Sequence, residues 1–150
     1  MRVAQIRSIG ALEDNKPVSD NEWETVKSGG DRAIENWIDN NMRYRSCVVV
    51  LVGSDTANRR WVRYEIEKAW NEDKGLFGIF IQNINCPRNG KCDQGLNPFE
   101  QVAATRGKRI KCYNPDSWDA YNDIRNNIEK WVEEAINQRT IDKVFKYWGL

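Results

Sequence analysis

The chain contains no histidine among its 150 residues. This absence excludes hydrolases that use a Ser-His or Cys-His pair, zinc proteases with histidine ligands and histidine phosphorelay donors. Lys and Arg (23) nearly balance Asp and Glu (22), which leaves a net charge of +1, whereas nucleic-acid-binding domains usually carry a clear basic excess. We therefore expect neither histidine-based chemistry nor general binding to nucleic acid.

Long apolar runs and numerous cysteines are also missing. No stretch reaches the ~20 apolar residues that cross a bilayer, and the N-terminus lacks a signal-peptide core, so we expect a cytoplasmic protein without a membrane partner. Cys47 and Cys112 fall in predicted strands, where cysteine is usually a small core residue. Cys86 and Cys92 flank a loop. The ligand count predicts no metal site, and a reducing compartment favours free thiols.

Apolar strands and amphipathic helices alternate along the chain. Continuous apolar runs at 47–52 and 76–81 are typical of buried strands in a parallel sheet, and the alternation at 109–113 indicates an edge strand. The sequence therefore predicts one α/β domain over residues 1–150, with the 48–52 strand at the sheet centre. Helical spacing predicts helices over 31–44, 59–73, about 117–136, and a separate short tail helix that contains residues 141–148.

The connecting segments carry weaker signals. Residues 1–9 indicate the end of a helix, and residues 10–30 a turn-rich loop with one helical turn around Trp23. Ser28 and Asp31 form a Ser-x-x-Asp signal for the start of the next helix. Residues 83–107 form a connection of uncommon length. The tryptophans and tyrosines of the 117–136 helix are expected in the core.

The loop 53–58 follows the 47–52 strand and is the first candidate for a functional site, because open parallel sheets bind ligands at the carboxyl ends of their strands. In the next helix, Trp61 and Glu65 are four residues apart and share one side. Helical geometry places Glu65 beside Ala69, at the border of the buried stripe, so its carboxylate should be partly desolvated. Such a group can oppose the positive charge that develops when a glycosidic bond breaks.

A structural interpretation of the same residues remains open. In it, Trp61 packs in the core and Glu65 lies on the surface, paired with Arg or Lys. Trp-x-x-x-Glu is short enough to occur by chance in a chain with seven tryptophans. The position of the pair after a buried strand favours the functional interpretation.

An apolar strand, a Ser-containing loop and a helix with Trp-x-x-x-Glu follow one another here as Val48 to Val52, Ser54, and Trp61 with Glu65. This order resembles the TIR superfamily, and the chain is closer still to the TIR-like proteins of the Thoeris antiphage system. The resemblance covers about residues 1–113 and implies a flavodoxin-like three-layer α/β fold with a parallel sheet. The segments that carry it are 15–23, 29–31, 37–39, 45–47, 53–66, 75–79 and 97–99.

The same resemblance implies an enzyme in antiphage defence. Glu65 would be the catalytic residue that stabilises the oxocarbenium-like transition state of NAD cleavage. The products would be nicotinamide and an ADP-ribose-derived signal, expected to be cyclic, with NAD as substrate and no cofactor. The alternative is a catalytically inactive module that binds other proteins. The resemblance also implies self-association through contacts between TIR domains.

The resemblance assigns further residues to the pocket. Trp61 would shape it, with Ser54, Thr56 and Asn58 as hydrogen-bond partners of the substrate. Arg59, together with Arg60 and Arg63, could face the diphosphate. A solvated cationic helix face is an equally good interpretation of these three arginines.

One expected element falls outside the chain. Members of the family begin with a further strand before the helix that ends near Ile9, whereas Met1 already lies inside that predicted helix. We therefore expect a sheet that lacks the family's first strand and leaves a hydrophobic edge on the 48–52 strand, which would favour pairing with another chain. An upstream start and a real truncation are both compatible with this expectation.

Overall fold

The computed structural model describes residues 20–84 and 93–149, which place helices on both faces of a three-stranded parallel sheet. The predicted helix end at 1–9 and the loop from Cys86 to Cys92 lie outside the described residues. The elements, in chain order, are α1 (Asp20–Ser28), α2 (Asp31–Met42), β1 (Cys47–Val52), a short 3-10 helix (Thr56–Asn58), α3 (Arg60–Asn71), β2 (Gly75–Phe80), α4 (Pro98–Gln101), β3 (Cys112–Tyr113) and α5 (Ala120–Tyr147).

β2 occupies the middle of the sheet. It pairs with β1 from Cys47↔Gly75 to Val52↔Phe80, whereas β3 pairs with it at only two positions. All six residues of β2 are buried, but only two of β1 are. The expectation of a central 48–52 strand is therefore wrong for the described sheet, in which no strand pairs with the outer edge of β1. Both runs are apolar throughout, so their patterns alone cannot show which strand lies in the middle of the sheet.

Alternate side chains of the strands point to opposite faces of the sheet and pack in two separate cores. On one face, α2, α3 and α4 pack against Val50 and Val52. On the other face, α5 packs against Phe77 and Ile79. This arrangement of helix, sheet and helix confirms the predicted α/β fold with a parallel sheet. In the described part, no helix has the length and apolar character that a membrane-spanning segment requires.

The N-terminal part of the described chain differs from the prediction. Residues 20–28 form the regular helix α1 instead of a loop with one turn, because α1 packs on α2 and Val26 reaches the core. Ser28 ends α1, and its hydroxyl donates to the Thr25 carbonyl, so it does not cap the next helix. The N-cap of α2 is Gly30, whose φ of 85° suits glycine.

The C-terminal part differs as well. The two helices predicted after Pro115 are a single 28-residue helix, α5, because no Gly or Pro interrupts residues 137–140. Trp131 is buried as expected, but Trp118 precedes the helix and is 93% exposed. The apolar side chains of the predicted tail helix, Ile141, Val144, Phe145 and Trp148, are all exposed.

The two strand cysteines lie where the sequence places them. Cys47 and Cys112 are free, half-buried thiols in β1 and β3. Burial raises the pKa of each thiol to about 12. Because the thiolate is the reactive form, both groups are inert at neutral pH.

Candidate active site

The loop after β1 is fixed by its own threonine. The Thr56 hydroxyl accepts a hydrogen bond from the Gly53 amide (2.8 Å) and donates one to the Leu51 carbonyl (3.3 Å). Thr56 itself is buried. Its hydroxyl therefore shapes the turn that leaves the strand. Its predicted contact with substrate stays a prediction.

A second segment, which contains Gly95 and Asn97, packs on this loop. Gly95 touches the backbone of Gly53 so closely that a Cβ atom at Gly95 would lie 2.0 Å from the Gly53 carbonyl oxygen. Asn97 then caps α4 by accepting from the Phe99 amide (2.9 Å), and α4 contacts the 3-10 helix and α3. The second half of the long 83–107 connection thus supports the candidate loop. A lone glycine in a polar stretch gave no sequence signal for this contact.

The other predicted pocket residues of the loop point largely to solvent. The side chains of Ser54, Asn58 and Arg59 are exposed. Asn58 donates to Asp55 Oδ1 at 3.0 Å. No hydrogen bond from the side chain of Ser54 or Arg59 to another described residue is present, so both side chains are available to a ligand.

Arg60 and Arg63 behave differently from Arg59. Arg60 forms an ion pair with Asp31 at 2.8 Å and stacks on Trp61, with its guanidinium carbon 4.6 Å from the ring centroid. Arg63 donates to the Ala57 carbonyl at 2.9 Å. These contacts favour the structural interpretation for both residues. Arg59, at the start of α3, has no such partner within the part of the chain that the structure describes.

Trp61 is half-buried against the core formed with α2 and α3. Its ring makes an edge contact with Tyr64 at 5.7 Å between centroids. The Tyr64 hydroxyl donates to Asp39 on α2 at 2.8 Å. Trp61 is therefore held on two sides, by an aromatic ring and by the Arg60 guanidinium, which gives the first turn of α3 a rigid surface.

Glu65 is half-buried on α3, next to the fully buried Ile66 and one turn before the fully buried Ala69. Its carboxylate has no hydrogen bond and no ion pair with any described residue. Burial raises the pKa of Glu65 from 4.5 to about 7. Glu65 is thus a sheltered carboxyl group without a cationic partner, unlike the exposed, ion-paired glutamate of the structural interpretation. An unpaired carboxylate that is costly to ionise attracts a cationic ligand.

Other features of the described residues lie away from this site. A cavity of about 680 Å³ is lined by residues of α3, β2, the segment before β3, and α5, but neither Glu65 nor the loop 53–59 contributes to it. Within residues 20–84 and 93–149, no cluster of three or more Cys, Asp or Glu side chains could hold a metal ion.

Comparison with known proteins identifies the family to which the chain is similar. A family model described as the TIR-like domain of Thoeris protein ThsB matches residues 1–85. A Bacillus cereus (strain MSX-D12) protein with the provisional name cyclic ADP-D-ribose synthase ThsB1 is 33% identical over 107 residues. That alignment covers 68% of this chain and 56% of the relative, so the chain spans little more than half the length of the protein it matches.

A parallel sheet between helical layers, with a Trp-x-x-x-Glu helix after the loop that leaves β1, defines a TIR-like α/β domain. The family match extends over more than half of the chain. The chain therefore belongs to the family of Thoeris ThsB proteins with a TIR-like domain.

Proposed function

We propose that this protein cleaves NAD between nicotinamide and ribose, with Glu65 as the catalytic residue. The observation that carries the proposal is a sheltered carboxyl group that has no hydrogen bond or ion pair with any described residue, beside Trp61 and near the carboxyl end of a parallel strand. The name of the Bacillus cereus relative supports a cyclic ADP-ribose product for that protein. We extend to this chain an ADP-ribose-derived, cyclic product that acts as a signal in antiphage defence.

The charge balance of the reaction suits Glu65. The nicotinamide ring in NAD is cationic, and it leaves as a neutral molecule with the electrons of the carbon–nitrogen bond. The positive charge then passes to the ribose as an oxocarbenium-like transition state, which an ionised Glu65 stabilises. Attack on the anomeric carbon by an adenine ring nitrogen of the same molecule closes a cyclic product, whereas attack by water gives the linear one.

The raised pKa of Glu65 is compatible with this role. At pH 7 the free site holds the ionised and the protonated carboxyl in comparable amounts. A bound nicotinamide cation favours the ionised form, because an opposite charge nearby lowers the pKa of a carboxyl group. Substrate binding would therefore generate the reactive state of the site.

Four neighbouring side chains would contact the substrate. Arg59, whose guanidinium has no partner among the described side chains and backbone, would meet the diphosphate, for which a planar fork of donors is well suited. The exposed Ser54 and Asn58 would bind ribose hydroxyls, and Trp61 would form the wall beside nicotinamide.

The direct test is release of nicotinamide from NAD by the purified chain, measured by liquid chromatography. Glu65→Gln keeps the size of the side chain and removes its charge, and we expect it to lower the rate by at least ~100-fold. Glu67→Gln is the matched control, because Glu67 is exposed on the same helix and should retain the parent rate. Equal rates for the parent and Glu65→Gln would refute the assignment.

The assay requires several protein concentrations. The outer edge of β1 has no strand partner among the described residues, and the family resemblance implies self-association. Activity that rises more steeply than protein concentration would place part of the site on a second chain. Absence of turnover at every concentration, with association still detectable by light scattering, would favour the inactive interaction module instead.

A further inference from the structure

The cavity of about 680 Å³ lies beside the start of β2, between the segment 108–111 and the second half of α5. It exists because β3 is short. β3 pairs with β2 only at Gly78 and Ile79, so the first residues of β2 have no strand on that side among the described residues. The volume falls within the range of ~300–1,000 Å³ that is typical of small-molecule sites.

The inner surface of this cavity is apolar and partly aromatic. Its lining includes Trp70, at the end of α3, Ile110 and Ile141, together with Leu76 and Phe77 at the start of β2, whose side chains belong to the two opposite faces of the sheet. Leu76 and Phe77 are buried and Trp70 is half-buried. A flat hydrophobic ring would find contacts on several sides here.

The cavity also carries an excess of cations. Its lining contains Lys108, Arg109, Lys111 and Arg139, against Glu134 and Asp142. Lys108 and Arg109 are exposed and have no ion pair with any described residue. They are the two cations of the lining whose charge is free to meet a ligand.

The remaining charges of the lining are already satisfied. Arg139 donates to the Trp70 and Lys74 carbonyls and pairs with Asp73 at 2.9 Å. Glu134 accepts from the Tyr113 hydroxyl at 3.0 Å and lies 3.7 Å from the Lys111 ammonium. Asp142 pairs with Arg139 at 3.4 Å, so both carboxylates of the lining have a cationic partner. Four cations and two carboxylates leave the lining with a net charge of +2.

We propose that this cavity is a second ligand site, which binds a small aromatic anion. The ring lies against Leu76, Ile110 and the part of Trp70 that is not covered by the Arg139 guanidinium, which stacks 3.8 Å from the Trp70 ring centroid. The carboxylate, sulfonate or phosphate group meets Lys108 and Arg109. Open α/β sheets usually bind ligands at the carboxyl ends of their strands, and this site lies beside the start of β2, away from Glu65. The inference does not depend on NAD cleavage.

A pair of matched probes tests the proposal on the whole chain. 1-Anilinonaphthalene-8-sulfonate is an aromatic anion, and N-phenyl-1-naphthylamine has the same rings without the sulfonate. Fluorescence titration should give one saturable site per chain for the anion, with an affinity about fivefold or more above that of the neutral probe. Weak binding without saturation, or equal affinity for the two probes, would overturn the proposal.

Charge variants locate the site. Lys108→Ala/Arg109→Ala should lower the affinity for the anionic probe about tenfold and change the affinity for the neutral probe by no more than about twofold. The control Arg32→Ala/Arg125→Ala removes the same charge from exposed positions outside the cavity and should change neither affinity. An unchanged affinity of the anionic probe for the first variant contradicts the assignment.

The exposed tail of α5 is a competing site for any aromatic probe, because Phe145 and Trp148 are exposed there. Phe145→Ser/Trp148→Ser leaves the lining of the cavity intact and should retain the affinity of the anionic probe. Loss of binding in this variant would assign the probe to the tail and refute the cavity as its site. Urea unfolding confirms that each variant is folded.

Discussion

Replacement of Glu65 by glutamine should stabilise the fold in a pH-dependent way. The pKa of Glu65 is about 7 in the folded chain, against an ordinary value of 4.5. Between these pH values the unfolded chain ionises this carboxyl while the folded chain keeps its proton. The free energy of unfolding therefore falls as the pH rises, and this loss is complete above the folded pKa.

The size of the effect follows from the two pKa values. One unit of pKa corresponds to about 1.4 kcal/mol, so ionised Glu65 destabilises the fold by about 3 kcal/mol above pH 8. Glutamine does not ionise. The stability difference between Glu65→Gln and the parent should therefore grow, in favour of the variant, by about 2–3 kcal/mol from pH 5 to pH 8.

Urea unfolding at pH 5, 6, 7 and 8, followed by tryptophan fluorescence, measures this difference. Glu67→Gln serves again as the control, because an exposed glutamate contributes little to folding. A difference between Glu65→Gln and the parent that is constant across this pH range would refute the conclusion that burial of Glu65 opposes its ionisation. If Glu65→Gln is more stable than the parent and has lost turnover, the charge of Glu65 serves the reaction and lowers the stability of the fold.

Four further substitutions test the packing around the site and the core, each by urea unfolding. Gly95→Ala places a methyl carbon 2.0 Å from the Gly53 carbonyl oxygen, so we expect the free energy of unfolding to fall by about 2 kcal/mol. Nicotinamide release should also be slower, because the loop after β1 must move. An unchanged unfolding midpoint would contradict this contact. Arg139→Leu removes a buried guanidinium and leaves its two carboxylate partners, Asp73 and Asp142, without their cation, which should cost about 3 kcal/mol. An unchanged free energy of unfolding would mean that these ion pairs are dispensable. Trp118→Ala should change stability by less than ~0.5 kcal/mol, and Trp131→Ala should cost about 3–5 kcal/mol; comparable losses would contradict the burial of these two rings.

Local pattern was sufficient for the elements that carry the candidate site. The apolar run at β1 and the periodicity of α3 placed Glu65 at the edge of a buried stripe, and the structure shows that carboxyl group half-buried. Both features are short in range, because they depend only on the geometry of one strand and one helix. The family resemblance added the chemistry, which spacing alone could not supply.

The features that the sequence did not predict depend on contacts between distant segments. The support of Gly53 by Gly95 and the network of Arg139 join residues far apart in the chain. The sequence alone does not distinguish an arginine that faces solvent from one that is buried. Trp118 was assigned to the core because aromatic residues usually pack, yet its position before the first turn of α5 leaves it in solvent.

The most direct measurement of the central claim is the titration of Glu65 itself. Carbon-13 NMR of side-chain carboxyl groups, with Glu65→Gln to identify the signal, follows its ionisation in the folded chain. We expect a midpoint near pH 7, which NAD moves to lower pH as its nicotinamide cation binds beside the carboxylate. A midpoint near 4.5 that NAD leaves unchanged would contradict the account, since Glu65 would then be an ordinary surface glutamate.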